Sequence, residues 1–100
     1  MLQAIELGFD VREGKIDFYG VHLSPGQWLK DKVHEGDKVT LKKSGQTILV
    51  QVVRYEGAGF VGTVYGFEHL AFEIEFEGVN IGDEIFFFEN HIFTCGHKPE

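Results

Sequence analysis

The chain contains a single cysteine, Cys95, in its 100 residues. No internal disulfide can form, which excludes a small domain stapled by cystines and fits a reducing compartment. Basic residues are scarce, nine against sixteen acidic ones, for a formal net charge of −7. A nucleic-acid binder usually presents a basic face, so nucleic acid is not the expected partner. Long apolar runs are missing: nothing approaches the roughly 20 residues that span a bilayer. The first residues, MLQAIELGFDVREG, lack a basic region followed by an apolar one, so no secretory signal is read there and a cytoplasmic location is expected. There is no P-loop, no G-x-G-x-x-G and no nucleophile elbow. With no nucleophile–base pair legible, the chain is not expected to be an enzyme, and no cofactor is implied.

What is present is an apolar fraction of 43%, ordinary for a folded protein. The length fits one domain, 1–100, with a core of modest size. The dominant pattern has period two, which predicts strands. Ile5, Leu7, Phe9 and Val11 alternate with Glu6, Gly8 and Asp10. Ile16 and Phe18 follow, and the phase slips at Tyr19-Gly20 as at a β-bulge. Val39 and Leu41 alternate with lysines, and KSGQ reads as a hairpin turn. TILVQVVRY is apolar on both parities, as expected of a central strand covered on both faces. In AFEIEFE, Phe72, Ile74 and Phe76 are expected to face in, with Glu73, Glu75 and Glu77 in water. IFFFENHIF reads as one last strand or two, broken near Glu89-Asn90.

One helix is predicted, at about 25–33. Ser24 can cap it, Pro25 suits its first position, and Leu29 and Val33 share a face beside Trp28. Seven or so strands and one short helix predict a mainly β fold: a small antiparallel barrel, SH3-like or split, or else a strongly curved sheet packed on the helix.

Four features invite a functional reading. His91, Cys95 and His97 carry metal-ligand chemistry, but a structural zinc wants four ligands and no second pair is present, so no metal site is assigned. The glutamate row should be solvated, which leaves nothing to separate its pKa values for acid/base work. Phe86, Phe87 and Phe88 are consecutive and must point both ways. The helix, the C-terminal segment or a second subunit must then cover the outer face, which makes a homodimer one expected assembly. Finally, VHEGDKVTL (33–41) echoes VNIGDEIFF (79–87), which suggests either a duplicated half or one Gly-Asp turn used twice to enter a strand.

The leading expectation is a non-enzymatic interaction module that binds a protein partner through Trp28, Lys32, Phe86 and Phe88. The alternative is a barrel binding a small ligand or nucleic acid through Lys38, Lys42, Tyr55 and Tyr65, again with Trp28.

Overall fold

The computed structural model describes residues 1–19, 33–69 and 73–96. Of the predicted helix only Val33 is described, outside any regular element; the rest, with Trp28 and Lys32, lies outside the described residues, as do His97, Phe72 and the second half of the Tyr19-Gly20 slip.

The described residues form nine strands: β1 (Leu2–Gln3), β2 (Asp17–Tyr19), β3 (Lys38–Lys43), β4 (Gln46–Glu56), β5 (Gly59–Phe67), β6 (Glu75–Phe76), β7 (Val79–Asn80), β8 (Glu84–Phe87) and β9 (Thr94–Gly96). Seven form one sheet in the order β1-β8-β5-β4-β3-β9-β2, and β6 with β7 makes a separate hairpin. The mainly β expectation therefore holds. The antiparallel barrel does not: β1 runs parallel to β8 and β2 parallel to β9, and the ladder is open between β1 and β2 among the described residues. Short parallel pairs at both rims require long connections, which alternation alone does not announce.

β4 is the middle strand, as expected. Its inward residues Ile48, Val50 and Val52 are buried, but Leu49 and Gln51 on the other face are only half-buried and Val53 is exposed. One face, not two, is covered. Inward residues of five strands of this sheet, from Val39 and Leu41 through Ile85, Phe87 and Cys95, join a single cluster with Ala4, Phe9, Ile92 and, from β7, Val79. A sheet whose strands all reach one cluster must curl around it. Burying Phe87 completely contributes about 2–3 kcal/mol of hydrophobic stabilisation.

Two predicted strands are corrected. The first is the run from Ile5 to Val11. Only Leu2–Gln3 pairs; the chain then makes one helical turn, with Leu7 N–H donating to Gln3 O and Phe9 N–H to Ala4 O, both at 3.0 Å. Gly8, at φ 73°, supplies the left-handed residue that ends such a turn. Ile5 and Val11 are consequently exposed. The second is AFEIEFE. Glu77 and Gly78 take φ of 47° and 87° between Phe76 and Val79, a two-residue hairpin turn that cuts the strand to Glu75–Phe76. Ile74, expected inside, is 72% exposed. KSGQ is a hairpin turn, as its composition predicts, with Ser44 and Gly45 both at positive φ. IFFFENHIF breaks where expected, but it holds one strand: β8 ends at Phe87, a short helical turn follows at Glu89–His91, and β9 begins only at Thr94.

The sequence echo has a structural counterpart. Asp37 Oδ2 accepts His34 N–H at 2.7 Å, and Asp83 Oδ2 accepts Asn80 N–H at 2.9 Å. Each Asp carbonyl then accepts a valine N–H, Val52 or Val64, whose own carbonyl accepts from the preceding glycine, Gly36 or Gly82. Both glycines have positive φ. Beyond the turns, Val39 faces Val50 as Ile85 faces Gly62, and Leu41 faces Ile48 as Phe87 faces Phe60. The β4–β5 ladder skips Val53 on one strand and Tyr65 on the other. An approximate two-fold axis thus passes through the Gln51–Thr63 pair. It exchanges β3 with β8 and β4 with β5, so it reverses their order along the chain. Copying one segment in tandem cannot produce that. The echo is one turn used twice, not a duplicated half.

Candidate functional site

β4 and β5 meet at the turn Glu56–Gly59, and the inward face opens there. After the bulge at Val53, Tyr55 comes to the same face as Val52 and pairs with Phe60. Their rings lie 5.6 Å apart and tilted, and Phe60 stacks on Phe87 at 5.7 Å. Gly62, beside them, has no room for a side chain: a Cβ would stand 2.5 Å from Val50 and 2.8 Å from the Gln51 carbonyl. Its absence lets the Phe87 ring sit against the sheet and carry Phe60 outward.

Ile16, just before β2, and Phe18, within it, also line this opening. Val33 and Ala58 complete the apolar lining of an open groove of about 600 Å³. Tyr55 is half exposed, yet its hydroxyl donates to the Val33 carbonyl at 2.7 Å. That bond ties the segment before β3 to the end of β4 and fixes the ring as a wall.

Arg12, Gly14, Lys15 and Glu89 supply the polar end of the groove. The Arg12 guanidinium uses four of its N–H groups: it donates to the carbonyls of Gly14 (3.0 Å), Glu89 (2.8 Å) and Ile92 (2.6 Å) and pairs with the Glu89 carboxylate at 3.4 Å. It is a clamp between the N-terminal loop and the turn before β9. His91 in that turn is buried. Its Nδ1 accepts the Phe88 N–H at 3.0 Å, and burial pushes its pKa below the ordinary 6.5. The proton of the neutral ring therefore sits on Nε2.

The residues singled out from sequence are dispersed. Lys38 lies over the Tyr65 ring at 5.3 Å on the outer face, and Lys42 lies over Phe93 at 4.9 Å. Tyr55 is on the inner face, so Lys38, Lys42, Tyr55 and Tyr65 do not make one surface. Phe86 and Phe88 meet edge to face at 5.0 Å, each half-buried, and Phe86 lies over Gly59. Contacts within the chain thus cover much of both rings. The Cys95 thiol is buried, with Sγ 3.5 Å from Asp37 Oδ2. Among the described residues no group of three His, Cys, Asp or Glu side chains is placed to hold a metal. Glu77 is not a bare member of a wet row: the Lys43 ammonium at 2.9 Å, with help from the Ser44 hydroxyl, holds its carboxyl below the usual range.

Sequence reasoning missed Lys15, Ile16 and Phe60 as groove residues. The one local signal is Gly14, at φ 81°, which bends REGK so that Arg12 and Lys15 both reach the groove. Comparison with family models, curated proteins and solved structures found no significant match to this chain.

Proposed function

We propose that the protein is a non-enzymatic binding module that holds an apolar segment of a protein partner in the groove walled by Tyr55 and Phe60. The observation that carries this reading is an aromatic wall, half exposed and hydrogen-bonded in place, over about 600 Å³ of open, largely apolar groove. Groove volumes of this order suit ligand recognition, and a fixed aromatic contributes contact area at little entropic cost. The described lining is mostly apolar, and its Arg12 and Glu89 side chains are paired with each other, which supports a binding role. The curl of the sheet, for which an SH3-like or split barrel is the finer proposal, favours a groove at its open end.

The test is a selection of random peptides against the protein, followed by two variants. Ala58→Glu introduces bulk and charge into the groove at an exposed loop position, and Tyr55→Ala removes the wall. Both should fold and lose the selected peptides at least about tenfold. Unchanged binding by Ala58→Glu would move the site elsewhere.

A further inference from the structure

The polar end of the groove holds donors that the fold leaves unused. Among the described residues, the backbone N–H groups of Gly14, Lys15 and Ile16 donate to no other group, and the Lys15 ammonium has no ion-pair partner. All three residues line the groove, next to the apolar wall. Arg12 is paired with the Glu89 carboxylate at the same end, so the two charges offset each other and Lys15 is the cation left over among the described residues. With Arg12 and Glu89 balancing each other, an acidic protein has thus placed this one unpaired cation, Lys15, and a bent loop with three spare amides at one end of an apolar groove.

We infer that the groove receives the C-terminal end of a partner chain, with its last apolar side chain against Tyr55 and Phe60 and its terminal carboxylate at the Gly14–Ile16 loop. This rests on the groove being the binding site. A carboxylate accepts several N–H donors at once, and bent backbone amides beside an ammonium suit it. The surroundings narrow the choice. Glu13, Asp17 and Glu56 are exposed around this end of the molecule, and the net charge is −7. A tail acidic along its length would be repelled, so the fitting tail carries one terminal negative charge with neutral or basic residues before it. β2 is the last strand of its sheet among the described residues, so an extended tail can run alongside Ile16 and Phe18.

The experiment uses the full chain, labelled with ¹⁵N, and short N-acetylated peptides with a lysine followed by leucine, valine or phenylalanine residues. Each is prepared as the free acid and as the C-terminal amide. The free acids should shift the amide signals of Gly14, Lys15 and Ile16 and bind about tenfold more tightly than the amides. Lys15→Gln, an exposed substitution, should cost the free acids severalfold and leave the amides unchanged. Equal binding of acid and amide overturns the carboxylate assignment and leaves the groove reading intact. No shift at any groove residue at about 5 mM peptide overturns both. Tighter binding of a straight-chain fatty acid than of every peptide acid overturns the choice of a protein tail.

Discussion

The hydroxyl of Tyr55 and the carbonyl of Val33 are joined by a 2.7 Å hydrogen bond that spans from the end of β4 to the segment before β3. It makes a half-exposed aromatic ring a fixed part of the molecule. Tyr55→Phe keeps the ring and removes the bond. The expected cost is about 1 kcal/mol in chemical denaturation, together with faster amide exchange near Val33. No change in either would mean that the ring is held by packing alone.

Asp37 and Asp83 occupy equivalent turns but different surroundings. Asp37 is buried and receives the His34 N–H while lying against the Cys95 thiol; Asp83 is more open. Asp37→Ala should therefore cost about 2–3 kcal/mol and Asp83→Ala about 1 kcal/mol, because a buried orphaned donor carries the larger penalty. Urea melts of the two variants decide the order. Equal losses would show that the turn alone, and not burial, sets the cost.

Gly62 is required by space, not by backbone angle. Gly62→Ala drives a methyl against Val50 and the Gln51 carbonyl. A loss of about 2–3 kcal/mol is expected. Ala at Gly66, whose nearest neighbour would be 3.4 Å away, should cost far less. Thermal melts of both variants check the contrast.

His91 gives stability a pH dependence. Its pKa is lowered in the folded state, so the unfolded chain binds the extra proton first. The His91 contribution is therefore complete above about pH 6.5, its unfolded value. It is lost as pH falls from there towards the lower folded value. His91→Asn keeps an acceptor for the Phe88 N–H and should flatten that part of the curve relative to the wild type. An unchanged slope would assign it to other histidines.

Part of the fold was legible: β3 follows from the alternation of Val39 and Leu41 with lysines, β4 from the apolar run TILVQVVRY, and the division between β8 and β9 from the polar break after Phe88. The two misread segments alternate as well. What decided them was a single residue each: Gly8 closing a helical turn, and Gly78 pairing with Glu77 in a tight hairpin. Alternation describes side-chain spacing and does not register where the chain reverses. The groove was less legible still. Its walls come from residues 12–18, 33, 55–60 and 89, and nothing local marks such distant segments as neighbours. Tyr55 was chosen from sequence for its chemistry, but the bulge at Val53 sets its face, and a bulge has no composition of its own in VQVVRY.

The most direct measurement is an amide-shift map of the labelled protein with its tightest selected peptide. The shifts should concentrate on Ile16, Phe18, Val33, Tyr55 and Phe60. A map centred instead on Lys38 and Tyr65, or on Phe86 and Phe88, would contradict the groove as the binding site and place recognition on the outer face of the sheet.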